Sequence, residues 1–296
     1  MTVLRPARGR AMTIAVVAAC TALTLVFGLA GGTAEAAKKK KRKTPEPTRV
    51  PRPADPFRVT IPTADGVALA ASWRPVDGDP KAPGVLLIHD FSRERREWEP
   101  FAEELHGLGF ATLSVDLRAH GESTKKAGAT IAISPRLLGD PAGFPRDVAA
   151  AAAWLRAKSP KTAAVGLSVG GYLALLASSE GQVDAAVAIS VNEPRVRPLA
   201  GGRKVMPRAA LLLACDADPG RSESAHKLLA AAVEPKRMLL FPGGSHNLAV
   251  LREHPEAKRA ALEWLAERLG VPPPAAPTPP APTPAQTPTP TSSVPK

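Results

Sequence analysis

The chain has 296 residues, of which 44% are hydrophobic and 22% charged, and this composition excludes a wholly disordered protein. Taken as averages, its formal net charge of +12 and its 33 prolines suggest a basic protein that binds nucleic acid or a membrane surface. The charge is concentrated at one end: residues 1–53 hold eleven Lys and Arg against two Glu, whereas residues 54–271 hold 27 cations and 25 anions. The near-neutral body gives no reason to expect nucleic-acid binding.

Residues 1–36 have the pattern of an export signal. A basic start precedes a charge-free apolar run over residues 11–30, and Ala34-Glu35-Ala36 offers the small-x-small pattern that a signal peptidase accepts. Two alternatives remain open. The run is long enough for an uncleaved membrane anchor, and Val17-Ala18-Ala19-Cys20 resembles the signal for lipidation at Cys20. In each case we expect an exported protein of the bacterial cell envelope or of the extracellular space.

Biased segments flank the body on both sides. Residues 37–56 form a basic, proline-rich linker with six consecutive cations, Lys38, Lys39, Lys40, Lys41, Arg42 and Lys43. This run (Lys38–Lys43) lies just beyond the apolar segment, where cations oppose translocation and favour a cytoplasmic orientation, which is the alternative to export. The run either binds an anionic surface such as phospholipid head groups or serves as a solvated spacer. Residues 272–296 are rich in Pro, Thr and Ala and predict a disordered tail.

The body, residues 57–271, alternates short apolar runs with amphipathic segments. The runs predict strands at residues 67–73, 84–88, 111–115, 162–167, 183–189, 209–214 and 237–241. Helical spacing appears at residues 98–108, 147–155, 170–178, 223–231 and 256–269. This alternation predicts an α/β fold, a mostly parallel sheet with helices on both faces, in which ligands bind at the carboxyl ends of the strands.

Three candidate catalytic groups follow predicted strands. Gly166-Leu167-Ser168-Val169-Gly170 joins a strand to a helix, the setting of a nucleophile elbow. A serine nucleophile needs a base and an orienting carboxylate. Asp216 and Asp218 follow one later strand, and His246 follows the last one. The order Ser, Asp, His and the placement of each residue predict a catalytic triad.

These motifs, together with His89 at the end of a strand and the Asp116-to-Ser123 loop, resemble those of the α/β-hydrolases from about residue 67 to residue 269. Within that superfamily the chain is most similar to compact bacterial serine esterases related to dienelactone hydrolases. The resemblance implies a small-molecule acyl ester as substrate, with no organic cofactor and no metal. It also implies catalytic roles for Ser168, Asp218 and His246.

The acid of the triad has rivals in the sequence. The resemblance favours Asp218, since the acid of these enzymes usually precedes a proline or small residue such as Pro219. Asp216 is the alternative, and Glu193, after the preceding strand, is a more distant one.

Four other histidines are not expected to be catalytic. His106 and His226 lie on predicted helices, where surface or packing roles are usual. His254 lies in a loop with no partner pattern, and His120 belongs to a motif that the resemblance assigns to loop structure.

The resemblance places the oxyanion hole at two backbone N–H groups, those of Val169 and Phe91. Val169 begins a helix whose dipole favours an anion. Phe91 lies in the loop His89-Asp90-Phe91-Ser92, where many relatives have glycine at the position of Asp90. A carboxylate facing the hole would oppose the charge that develops there, so we expect the Asp90 side chain to point away.

Residues 190–208 are too short, and lack the long helix, for a substantial cap domain, and a site without a cap suits small or soluble acyl substrates. Five cations in this segment either attract an anionic substrate or form a solvated surface: Arg195, Arg197, Arg203, Lys204 and Arg208. Two alternative functions stay open, a serine peptidase of the same fold and a non-catalytic envelope protein that binds through its basic segment and tail.

Overall fold

The computed structural model describes residues 53–273. The predicted leader (1–36), almost all of the basic linker, and the tail beyond Pro273 therefore lie outside the described residues. Within residues 53–273, no helix is both long enough and apolar enough to cross a bilayer.

Ten strands form the framework of the described region. They are β1 (Arg58–Pro62), β2 (Ala68–Arg74), β3 (Gly84–Ile88), β4 (Ala111–Val115), β5 (Lys125–Lys126), β6 (Ala129–Thr130), β7 (Thr162–Leu167), β8 (Ala185–Ile189), β9 (Arg208–Cys215) and β10 (Val233–Phe241). Eight of these make one sheet in the order β1-β2-β4-β3-β7-β8-β9-β10, and β5 and β6 form a separate hairpin. The pairs β1–β2 and β2–β4 are antiparallel, whereas all pairs from β4 to β10 are parallel.

Seven α-helices connect or follow the strands. They are α1 (Glu99–Gly107), α2 (Phe144–Arg156), α3 (Val169–Ser179), α4 (Glu193–Val196), α5 (Pro219–Ala231), α6 (Leu248–Glu253) and α7 (Pro255–Leu269). Short 3-10 turns occupy Arg95–Trp98, Pro135–Gly139 and Arg197–Ala200.

The core lies in two layers, one on each face of the sheet. Along β3, Leu86 and Ile88 pack in the layer with α2, α3 and α5, whereas Val85 and Leu87 pack in the layer with α1, α6 and α7. Successive residues of a strand point to opposite faces, and both faces are covered here. That is why the central strands are continuously apolar rather than alternating.

The expected fold is confirmed, and so is the small size of the cap. Between β8 and β9 the chain forms only α4 and one 3-10 turn. The differences are in short elements. β1 and α6 were not predicted, because five or six residues with mixed polarity give no clear period.

Two buried arginines hold the loop that follows β4. The backbone N–H of Arg95 donates to Asp116 over 2.7 Å, and the Arg95 guanidinium pairs with the same carboxylate. Arg118 donates from its side chain to Asp147 of α2 over 2.8 Å. Burial raises the pKa of Asp147 to about 6 in spite of its arginine partner. This loop lies beside the carboxyl end of β3, so these pairs also support the candidate site.

Candidate active site

Ser168 lies in a strained turn between β7 and α3. Its φ is 50° and its ψ is −108°, a region that non-glycine residues rarely adopt. Such strain persists only where the surrounding structure enforces it, and it is concentrated at functional sites. The predicted strand-turn-helix geometry of the nucleophile elbow is therefore present, with the serine half-buried at the end of the strand.

The glycines on either side of Ser168 allow this turn. A Cβ on Gly166 would lie 2.1 Å from the backbone carbon of Gly170, and a Cβ on Gly170 would lie 2.3 Å from the carbonyl oxygen of Ile88. Real Cβ atoms do not approach backbone so closely. Each position therefore requires glycine because another backbone segment passes next to it.

Ser168 opens into a cavity of about 210 Å³ at the carboxyl ends of the parallel strands. The walls bring together Ser168, His246, and both residues whose N–H groups were expected to form the oxyanion hole. The full lining is Asp90, Phe91, Ser92, Leu138, Ser168, Val169, Asn192, Arg195, Val196, Arg221, His246 and Asn247. A small and mostly polar cavity of this kind suits a compact, hydrated ligand.

His246 lies in the loop between β10 and α6 and is exposed. The next residue, Asn247, has a φ of 56° and donates its backbone N–H to the Ser190 hydroxyl over 3.0 Å. This bond fixes the loop next to the end of β8. Among the hydrogen bonds of residues 53–273, none joins the imidazole to Ser168 or to a carboxylate. His246 thus shares the cavity with Ser168 without a hydrogen bond between them.

Asp218 caps α5. One of its carboxylate oxygens accepts the N–H of Arg221 over 3.3 Å, and the other pairs with the Arg221 guanidinium. Arg221 also donates to the carbonyl oxygen of Ser190 over 3.1 Å and lines the cavity. In this arrangement Asp218 is bound to Arg221 rather than to His246.

The two rival acids have different partners. The exposed carboxylate of Asp216 accepts the N–H of Gly243 over 3.0 Å, which links it to the loop that carries His246. Glu193 is buried on α4 and pairs over 2.8 Å with Lys227 of α5, which balances its charge. The choice of Asp218 over Asp216 stays a prediction.

The expected position of the Asp90 side chain was wrong. Asp90 lines the cavity, and its Oδ1 accepts the N–H of Phe91 over 2.7 Å. Its Oδ2 accepts from the side-chain amide of Asn247, also over 2.7 Å. The N–H of Phe91 therefore faces the carboxylate of its own neighbour. Val169 is the first residue of α3, where backbone N–H groups have no partner within the helix.

Two neutral histidines shape the loop that contains Asp90. His89 is fully buried, its Nδ1 lies 2.7 Å from the Asp90 carbonyl oxygen, and its Nε2 accepts the N–H of Leu117 over 3.0 Å. Burial lowers the pKa of His89 to about 3. His120 accepts the N–H of Ser92 over 3.3 Å, which agrees with the structural role expected for it.

The other histidines lie outside this cavity. His106 is 3.0 Å from the Pro75 carbonyl oxygen, and His226 is exposed on α5. His254, for which the sequence offered no partner pattern, has packing contacts away from the cavity. It stacks on Phe241, and its Nε2 lies 3.8 Å from the Cys215 sulfur.

Glu97 lies behind Asp90 and accepts its backbone N–H over 3.2 Å. Burial, and secondarily the charge of Asp90, raises the pKa of Glu97 to about 7. Arg195 and Arg221 also line the cavity and bring positive charge to its wall. None of the salt bridges found among residues 53–273 includes Arg195, whereas Arg197 and Arg203 pair with Glu193 and Glu180.

The sequence analysis missed three polar residues of the cavity, Asn192, Arg221 and Asn247. Asn247 had a usable signal, because it directly follows the proposed base. Asn192 and Arg221 lie in α-helical or loop segments without a motif. Within residues 53–273, no three His, Cys, Asp or Glu side chains are grouped in a way that could hold a metal ion.

Solved structures resemble this fold closely enough to align over most of the described region. An esterase from Pyrococcus furiosus has a TM-score of 0.56 at 20% identity and covers 72% of this chain and 90% of its own. A dienelactone hydrolase from Anabaena variabilis has a TM-score of 0.54 at 21% identity, with 72% and 97% covered. A serine hydrolase without a lid from Xanthomonas campestris has a TM-score of 0.54 at 22% identity, and the alignment covers 77% of this chain and 100% of the hydrolase. At these identities the likeness shows the fold.

A part of the chain also resembles curated enzymes. The 2-succinyl-6-hydroxy-2,4-cyclohexadiene-1-carboxylate synthase of Salmonella heidelberg is 34% identical over 104 residues, which are 35% of this chain and 36% of the relative. The corresponding synthase of Salmonella paratyphi C is 33% identical over the same shares. The chain thus spans about a third of the length of these relatives.

The sequence model of the alpha/beta hydrolase family matches residues 85–285, which is more than half of the chain. This match includes the elbow at Ser168, the turn with Asp218 and the loop with His246. The observed sheet order and the positions of these residues at its carboxyl edge agree with it. The protein belongs to the alpha/beta hydrolase family and is a hydrolase.

Proposed function

We propose that this hydrolase cleaves small, soluble carboxylic esters through a Ser-His-Asp triad and an acyl-enzyme. The main support is the presence of the strained Ser168 and the imidazole of His246 in one polar cavity of about 210 Å³. A nucleophile and a base must be able to meet around one substrate carbonyl group, and this cavity allows it.

The first half of the reaction forms the acyl-enzyme. His246 turns toward Ser168 and takes the hydroxyl proton as the serine oxygen attacks the acyl carbon. The N–H of Val169 binds the developing oxyanion at the start of α3. The ester C–O bond then breaks, and the proton on His246 goes to the departing alcohol.

The second half releases the acid. A water molecule gives a proton to His246 and attacks the acyl carbon, and the bond to Ser168 then breaks as the serine regains its proton. Asp218 orients the imidazole and stabilises its charged form. For this step Asp218 must exchange its partner Arg221 for His246.

The cavity also favours certain substrates. Its small volume of about 210 Å³ and polar lining favour a short acyl chain, and the segment between β8 and β9 is too short to cover a long one. Arg195 is exposed, lines the wall and is absent from the salt bridges of the described region. We infer that it favours esters that carry a second, negatively charged group. The relatives that match a third of their length are synthases of a cyclohexadiene carboxylate, which is in line with such a ligand.

A panel of substrates tests this function. Purified protein is given acetyl, butyryl and octanoyl esters, their counterparts with a terminal carboxylate, and aminoacyl amides. The proposal expects hydrolysis of short esters, with carboxylate-bearing esters preferred. Faster cleavage of the amides than of all esters would favour the peptidase alternative.

Arg195→Gln provides the matched variant. It should lower kcat/KM for the carboxylate-bearing esters by roughly tenfold, in line with loss of a charge-assisted hydrogen bond, and leave the neutral esters unchanged. Arg197→Gln serves as control, because Arg197 is exposed in the same segment but is paired with Glu193 and does not line the cavity.

Export remains a proposal based on residues 1–36 alone. Intact-mass analysis of the protein recovered from its native cells distinguishes the three forms. A start at Ala37 supports cleavage, a lipidated Cys20 supports a lipoprotein, and retention of residues 1–36 supports an anchor. The same material, washed from vesicles with and without anionic lipid, tests the proposed contact of Lys38–Lys43 with a membrane surface.

A further inference from the structure

Four hydrogen bonds determine the position of Asp90. Its backbone N–H donates to Glu97 over 3.2 Å, and its carbonyl oxygen lies 2.7 Å from Nδ1 of His89. Its carboxylate accepts from the N–H of Phe91 at one oxygen and from Asn247 at the other, both over 2.7 Å. The backbone and the carboxylate are thus both fixed, and the side chain faces the cavity that holds Ser168.

This arrangement removes a hydrogen-bond donor from the site. A backbone N–H has one hydrogen, and that of Phe91 is bound to a charged acceptor, which makes the bond stronger than one between neutral groups. The following N–H, that of Ser92, is bound to His120. A substrate carbonyl that enters the cavity therefore meets the N–H at the start of α3, whereas the two N–H groups of the opposite loop already have acceptors.

We propose that Asp90 sets the reactivity of the site by competing with the substrate for the N–H of Phe91. The carboxylate occupies the acceptor position in the resting enzyme, and the acyl oxygen must displace it before two donors can stabilise the oxyanion. Asn247 holds the carboxylate in the competing position through its second oxygen. Asp90 thus lowers the rate at which Ser168 reacts, and this inference rests on the proposed function of Ser168.

The rate of phosphonylation measures this competition without need of the natural substrate. In the reaction with a fluorophosphonate, the Ser168 oxygen forms a bond to phosphorus, fluoride leaves, and the serine proton goes to His246. The phosphonyl oxygen takes the place of the acyl oxygen. Its access to the Phe91 N–H therefore affects the second-order rate constant of inactivation.

Three variants separate the possible causes. Asp90→Ala removes the competing acceptor and fits the backbone, since the φ of Asp90 is not positive. Asp90→Asn keeps an oxygen acceptor but removes its charge. Asp140→Ala is the matched control, because Asp140 is also a half-buried loop carboxylate that accepts a backbone N–H, that of Ala142, but does not line the cavity. Melting temperatures verify that each variant is folded.

Because one oxyanion donor is typically worth about a hundredfold or more in rate, Asp90→Ala should react at least about tenfold faster than the unchanged protein. Asp90→Asn should fall between the two, and Asp140→Ala should match the unchanged protein. Equal or slower labelling of Asp90→Ala and Asp90→Asn, with Ser168 of the unchanged protein labelled, would overturn the role of Asp90 and leave the proposed function standing. Absence of labelling at Ser168 in every variant would overturn both.

Discussion

The side-chain amide of Asn247 donates to the carboxylate of Asp90 over 2.7 Å, although 157 positions separate the two residues. The bond joins the loop after β3 to the loop after β10. Both loops leave the same edge of the sheet, where parallel strands bring their carboxyl ends together. Ser168 and His246 open into the cavity beside this bond, so its geometry affects the site directly.

Replacement of Asn247 should show how much this bond contributes to stability and how much the strained backbone at Asn247 costs, where φ is 56° and ψ is −136°. Asn247→Ala should lower the free energy of unfolding by about 1–3 kcal/mol, because the hydrogen bond to a charged group is lost. Asn247→Gly should lose about 1 kcal/mol less, since glycine adopts this conformation without strain. Urea denaturation of the three proteins measures both differences, and a glycine variant less stable than the alanine variant would contradict the strain.

The elbow glycines give a sharper stability prediction. Gly166→Ala would put a Cβ 2.1 Å from the backbone of Gly170, which can be relieved only by moving α3 away from β7. We expect a loss of about 3 kcal/mol or more and of all esterase activity.

Gly107→Ala is the control for this change. Gly107 is exposed at the end of α1, and nothing lies within 4 Å of an added Cβ. The Gly107→Ala protein should have a free energy of unfolding about 0.4–1 kcal/mol higher, because alanine reduces the conformational freedom of the unfolded chain. Thermal unfolding of both variants tests the pair, and a well-folded, active Gly166→Ala protein would contradict the close packing of the elbow.

The acid of the triad is separable by mutation. Asp218→Ala should reduce kcat by about a thousandfold or more, because an imidazole without its acid loses both orientation and stabilisation of its charge. Asp216→Ala should reduce kcat by less than about tenfold, because the proposed mechanism assigns the imidazole to Asp218 and leaves Asp216 only the N–H of Gly243, a contact that holds the loop. Steady-state kinetics on a short ester decides between the two, and the reverse order of effects would make Asp216 the acid.

The raised pKa of Glu97 leads us to expect that stability depends on pH. Its pKa is raised from 4.5 to about 7 in the folded protein, mainly by burial. Between these two values the folded state binds more protons than the unfolded state, so stability should fall as pH rises through that window. Glu97→Gln stays neutral and can still accept the Asp90 N–H, so it should be more stable than the unchanged protein at pH 8 and lose this advantage at pH 4. An advantage independent of pH would contradict the raised pKa.

The strands that hold the site were predictable because a strand buried on both faces appears in the sequence as a continuous apolar run. β3, β4 and β7 begin and end where their apolar runs do. The elbow was predictable for a similar reason. Only glycine fits at positions 166 and 170, because other backbone atoms pass close to both. These two glycines therefore allowed the packing of α3 against β7 to be predicted from the sequence.

The direction of a loop side chain was not predictable in this way. Asp90 was expected to point away from the cavity, on the ground that a carboxylate opposes an oxyanion. The hydrogen-bond donors that hold it in place come from Phe91 next to it and from Asn247 on a distant loop. The partner of Asp218 was missed for the same reason. Asp218 caps α5 and pairs with Arg221, and no sequence motif predicts that contact.

The most direct test of the proposed mechanism is the mass of the Ser168 peptide after reaction with a fluorophosphonate, with Ser168→Ala and His246→Ala treated in parallel. The mechanism predicts one phosphonyl group on Ser168 in the unchanged protein, none on the Ser168→Ala protein, and labelling of the His246→Ala protein slowed by at least about a hundredfold. Ester hydrolysis should be lost in both variants. Equal labelling of the unchanged and Ser168→Ala proteins, or an unlabelled Ser168 in an unchanged protein that still cleaves esters, would contradict it.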